Sequence, residues 1–67
     1  MAVKTSNAAT RVLAVIDLIA EHQPVRISEL AKLLDEDRSA IQRAVATLAE
    51  AGWIRPAADA PSLWELS

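Results

Sequence analysis

Between Ser28 and Ile54 the chain reads SELAKLLDEDRSAIQRAVATLAEAGWI. Apolar residues recur at helical spacing through Leu34, stop at Asp35-Glu36-Asp37, and resume in a longer segment that ends at the only glycine, Gly52. A short helix, a tight break and a longer helix is the pattern of a helix-turn-helix. The chain has 67 residues, room for a single domain. Everything outside this stretch is therefore expected to pack on it.

A domain of this size buries only about 60% of its unfolded surface, so it is marginally stable. It has no cysteine for a disulfide, and one histidine does not make a zinc site. Hydrophobic residues make up 52% of the chain, mostly Ala, Leu, Val and Ile, with no Phe or Tyr. That composition favours helices. The absence of cysteine fits a reducing cytoplasm, where the protein is expected to reside. Lys4 and Arg11 precede an apolar run that Asp17 and Glu21 interrupt, so no export signal is expected from it. No stretch reaches the roughly 18 apolar residues of a membrane span.

Residues 1–7 are polar and aperiodic and are expected to be flexible. A single domain is expected over 8–67. Ser6 or Asn7 can cap a first helix that runs from about Ala8 to Glu21 and stops before Pro24. On a helical wheel Ala9, Val12, Leu13, Ile16, Ile19 and Ala20 form the expected core face. Val15 and Leu18 fall on its flank, with Ala8 nearby. They read either as scattered surface residues or as a second contact surface for a twin domain.

Val25-Arg26-Ile27 is short and partly β-branched, which suggests a small strand. Ser28 is then the expected cap of the second helix, whose inner face is Leu30, Leu33 and Leu34. Asp37 can cap the third helix, from about Arg38 to Ala51. Its inner stripe is Ile41, Ala44, Val45 and Leu48. Ser39, Gln42, Arg43, Ala46, Thr47 and Glu50 face outward, a thin polar surface suited to a groove about 12 Å wide. Gly52 is the expected left-handed terminator. Trp53-Ile54-Arg55 and Ser62–Leu66 read as two strands around a loop, with Trp64 and Leu66 on one face and Leu63 and Glu65 on the other. The fold expected is mostly α with a small β-hairpin. It is a winged helix-turn-helix with three helices, a short strand near 25–27 and a wing hairpin over 53–66.

The chemistry of an enzyme is missing. His22 has no nucleophile or second base beside it, and there is no Gly-rich phosphate loop. No catalytic residue, metal or cofactor is expected. The formal net charge of -2 counts against nucleic-acid binding, but the charge is unevenly spread. From Arg38 to Arg55 three arginines stand against one glutamate, a local balance of +2. Arg38 and Ser39 open the third helix, where backbone N–H groups can meet phosphate. One turn on, Arg43 can read a guanine edge and Gln42 an adenine. Thr47 and Arg55 complete the expected DNA-binding set, and Lys4 and Arg11 can add phosphate contacts. The competing expectation is a protein-interaction winged helix working through Val15, Leu18 and Leu63 without touching DNA.

The segments RVLAVIDLIAEH (11–22), ISELAKLL (27–34), RSAIQRAVATL (38–48), EAGWI (50–54) and LWEL (63–66) together resemble the N-terminal DNA-binding domain of the isocitrate-lyase-regulator (IclR) family of bacterial transcription regulators. The resemblance implies sequence-specific binding of double-stranded DNA at a palindromic operator by a homo-oligomer. It implies that the first helix helps to pair the domains, which would give Ala8, Val15 and Leu18 an interface role. It also implies an effector-binding domain C-terminal in a parent chain. The chain departs from the family at Asp35, where glycine is usual, and at Asp37, often proline. The wing has Leu63 and Glu65 where the family often has Arg or Lys. Contact with DNA is therefore expected to rest on the third helix.

Overall fold

In the computed structural model, residues 6–67 are described, and the expectation for the N-terminus falls largely on 1–5, outside them. Helix α1 spans Asn7–His22, α2 Ile27–Leu34 and α3 Arg38–Glu50. Strand β1 (Ile54–Pro56) pairs antiparallel with β2 (Trp64–Leu66) in the register Ile54↔Leu66, Arg55↔Glu65 and Pro56↔Trp64. Three helices followed by a two-stranded hairpin make a winged helix-turn-helix.

Helix α1 starts where a cap is available. The Ser6 hydroxyl accepts from the Ala9 N–H at 3.3 Å, and the Ser6 carbonyl accepts from Thr10. It ends one residue before Gln23, ahead of Pro24, which cannot continue a helix. Its buried face differs from the expected one by about one residue's rotation. Val15 and Ile19 are fully buried, with Val12, Ile16 and Leu18 partly buried around them. Leu13 is 65% exposed, and Ala9 and Ala20 are also exposed. The cause is that α1 packs against α3, α2 and β2 together. Those neighbours select the Val15–Ile19 side from a helix that is apolar around much of its girth.

The strand expected at 25–27 is reduced to one bridge. The Val25 N–H donates to Trp64 O at 3.0 Å and the Trp64 N–H to Val25 O at 2.7 Å. Pairing stops there because the Arg26 carbonyl accepts from Glu29 and Leu30, which opens α2. The helix cap is thus Arg26 rather than Ser28, and Ser28 lies in the first turn. Leu30 is fully buried, with Ile27, Ala31 and Leu34 partly buried, while Leu33 is 50% exposed rather than inward.

Helices α2 and α3 close in the same way. After α2, Asp35 sits at φ 51°, and the Asp35 and Glu36 N–H groups donate to Lys32 O and Ala31 O. After α3, Gly52 sits at φ 83°, and the Gly52 and Trp53 N–H groups donate to Ala49 O and Leu48 O. Both are the paired closure that a left-handed residue makes possible. Between them Asp37 begins α3 with extended backbone, but its side chain makes no capping hydrogen bond. Ile41, Ala44, Val45 and Leu48 are buried as expected, joined by Ala40. With Val15, Ile19, Val25, Leu30 and Ile54 they form the core, each fully buried aliphatic contributing roughly 1.5–3 kcal/mol. The open end of the wing is tied down. The Leu66 N–H donates to the Gln23 side-chain oxygen at 2.9 Å, and Ser67 N–H to Trp53 O at 3.0 Å.

Candidate nucleic-acid interface

With Ile41, Ala44, Val45 and Leu48 turned inward, the 3.6-residue period of α3 leaves Ser39, Gln42, Arg43, Ala46, Thr47 and Glu50 outward, and all six are exposed. Arg38, at the start of the same helix, is also exposed. Among the described residues neither Arg38 nor Arg43 makes an ion pair. The absent Asp37 side-chain cap leaves the first-turn N–H groups of α3 without that partner. This end of the helix therefore presents donors and positive charge together, the chemistry that suits phosphate and base acceptors.

Two of the expected members have prior engagements. The Thr47 hydroxyl donates to the Arg43 carbonyl at 2.9 Å. A hydroxyl has one proton, so donating to a phosphate requires Thr47 to release that carbonyl. Arg55 lies on β1, and its Nε donates to Glu65 Oε2 at 3.0 Å across the wing. The wing arginine is thus neutralised by its register partner. Lys4 lies outside the described residues. Arg11 shares a shallow cleft with Ala8, Val12, Arg43 and Thr47, between the start of α1 and the outer face of α3. Its guanidinium is paired with Glu36 at 3.3 Å, and its Nε is buried without a hydrogen-bond partner. That pair offsets one of the three acids in the α2–α3 turn.

The residues expected to pair two domains are placed differently from one another. Val15 is in the core and has no surface to offer, a correction to its expected interface role. Leu18 is partly buried against the core, and Ala8 is exposed. The exposed apolar surface lies instead at Leu13 and Trp53, the latter 62% exposed. They flank a groove of about 270 Å³ lined also by Val12, Ile16, Leu48 and Ala51. Leu13 thus lies outside the core that helical periodicity predicts for it, and Trp53 lies just before β1 rather than in a strand. Arg26 and Ser62, which no local motif marks as functional, line one pocket with Arg38. Among the described residues there is no cluster of three metal-ligating side chains, and no helix is long and apolar enough to cross a membrane.

Two solved structures share this architecture. The Zalpha domain of Carassius auratus PKZ, in complex with Z-DNA, superposes with a TM-score of 0.82 at 19% identity, covering 92% of this chain and 100% of that one. The Cyprinid Herpesvirus3 ORF112-Zalpha domain, also described with Z-DNA, superposes with a TM-score of 0.78 at 22% identity, covering 96% and 100%. At these identities the likeness establishes the fold. No curated protein matches the sequence. The profile of the IclR helix-turn-helix domain matches residues 8–58, from the first turn of α1 into the wing. The chain belongs to the IclR helix-turn-helix family and is a winged-helix domain that binds double-stranded DNA.

Proposed function

We propose that this domain binds DNA sequence-specifically to regulate bacterial transcription in the cytoplasm, with α3 in the major groove. The observation that carries the proposal is the outer face of α3. It is narrow and exposed, and it carries Arg38 and Arg43 without ion pairs among the described residues. Arg43 and Gln42 are the base readers, with guanine and adenine as their natural partners. Arg38, Ser39 and, after rotation of its hydroxyl, Thr47 hold the backbone. Arg55 joins them only if Glu65 releases it. The work is binding, with no catalytic step, metal or cofactor.

A palindromic operator and a homo-oligomer belong to the same proposal, as does an effector-binding domain C-terminal in a parent chain. With Val15 in the core, the surface that favours pairing of two copies is Leu13 and Trp53, the large hydrophobic side chains left exposed at one groove. The same groove is the observation that favours the second reading, a protein-interaction domain.

Selection from a pool of randomised duplexes, followed by fluorescence-anisotropy titration of the winning sequence, tests the proposal. Enrichment of a defined motif, bound in the B form, supports it. An alternating CG duplex held left-handed is the second arm, because both structural neighbours were studied with Z-DNA. Preference for that duplex over every B-form sequence would overturn major-groove reading.

A further inference from the structure

Arg26, at the cap of α2, Ser28 in its first turn, Arg38 at the start of α3 and Ser62 before β2 line one open pocket of about 190 Å³. Ile27 forms the remaining wall. Three separate elements thus deliver two guanidinium groups and two hydroxyls to one place. All four polar side chains are exposed, and none makes a hydrogen bond or an ion pair among the described residues. No carboxylate lines the pocket. In a chain with nine acids against seven Lys and Arg, two arginines lining one pocket without an acid in the wall is a local exception. Two like charges that face one cavity favour an anion between them.

We propose that this pocket binds a phosphate group, and that its source is the DNA backbone beside the groove that α3 enters. The inference rests on α3 being the DNA-reading helix, as proposed above. Planar guanidinium forks suit the oxygens of a phosphate, and serine hydroxyls supply further donors. The pocket is too open and too small to enclose a whole nucleotide, but a phosphodiester needs only its two free oxygens covered. Arg38 connects the two sites, since it belongs both to the pocket and to the first turn of α3. Arg26 is then a backbone anchor that carries no sequence information. Its loss weakens binding to every duplex alike, whereas loss of Arg43 changes which duplex is preferred.

The test compares wild type with Arg26→Ala, Arg26→Lys, Ser62→Ala and Arg43→Ala, in anisotropy titrations over a salt series, on the selected duplex and on a scrambled one. Unchanged thermal melts establish that each variant is folded; Arg26 and Ser62 are exposed, so folding does not depend on their side chains. Arg26→Ala is expected to weaken both duplexes about 3- to 10-fold by equal factors, and to lower the slope of log K against log salt by about 1. Arg26→Lys restores the slope but not the full affinity. Ser62→Ala weakens binding less and leaves the slope unchanged. A single methylphosphonate scanned along the selected duplex should find one position that weakens wild type and not Arg26→Ala. If Arg26→Ala keeps wild-type affinity and slope while Arg43→Ala loses preference, the pocket is not a phosphate site and the reading of α3 stands. If wild type binds no duplex, both fall. Inorganic phosphate titrated into the isotope-labelled protein separates the source. Saturation at Ser28 and Arg26 signals at micromolar phosphate, undisturbed by DNA, would overturn the backbone assignment in favour of a free phosphate ligand.

Discussion

Arg55 on β1 and Glu65 on β2 face each other across the wing, Nε to Oε2 at 3.0 Å, in the central pair of the hairpin register. The pair explains why a wing that carries an arginine contributes little net charge. Both side chains keep contact with solvent, so the pair itself is worth only about 0.2–1 kcal/mol and can be replaced without unfolding the hairpin. Glu65→Lys is expected to make the wing basic and release Arg55. DNA affinity at low salt should rise, and the slope of log K against log salt should steepen by about 2 if both cations reach phosphates. An unchanged slope in that titration would mean that the wing lies away from DNA.

Arg43→Ala is expected to cost about 1–3 kcal/mol on the selected duplex and much less on a scrambled one. Anisotropy on the two duplexes measures the difference directly. Equal losses on both would reassign Arg43 from base reading to backbone contact.

The two left-handed residues make opposite predictions. Asp35 holds φ 51° with a side chain that strains there, so Asp35→Gly is expected to stabilise the domain modestly, by about 0.5 kcal/mol. For a domain of this size that is a rise of about 2–4 °C in melting temperature. The same change removes a carboxylate near the start of α3 and should raise DNA affinity. Gly52 holds φ 83°, and a Cβ built there meets nothing within 4 Å. Gly52→Ala should therefore cost about 1 kcal/mol from the backbone alone, with no steric addition. A loss much larger than that in a calorimetric melt would show a contact at Gly52 beyond its conformation.

Val15 and Leu13 are two positions apart and opposite in role. Val15→Ala removes fully buried methyl groups and is expected to cost about 1–3 kcal/mol of stability. Leu13→Ser changes an exposed side chain and should leave the melting temperature within about 2–4 °C, the range of an ordinary surface substitution. Sedimentation velocity on wild type, Leu13→Ser and Trp53→Ser tests the pairing surface. Self-association that both serine variants weaken supports it, and self-association that neither changes removes the groove from that role.

The parts of this protein legible in the chain are those set by neighbours in sequence. The presence and order of three helices followed from apolar spacing, from Ser6 or Asn7 as a cap and from Pro24 as a stop, while α2 opens two residues ahead of the start expected from a Ser28 cap. The left-handed terminator at Gly52 followed from where the periodicity of α3 broke, whereas for Asp35 the only pointer was the family's usual glycine at that position. The outer face of α3 was readable because Ile41, Val45 and Leu48 define one stripe, and everything opposite it must face out. What only the tertiary structure decided was every choice between local equals. Seven of the eight residues from Val12 to Ile19 are aliphatic or alanine, so α1 had no unique inner face until α3, α2 and β2 packed on it. That packing put Val15 inside and Leu13 outside. The segment at 25–27 reads locally as a small strand, but tertiary structure left one bridge, Val25 to Trp64, while α2 took Ile27. Which arginines stay available for DNA was also undecidable locally. Arg11 finds Glu36 twenty-five residues away, and Arg55 finds Glu65 ten away, because an ion pair depends on distance in space, which only the folded chain sets.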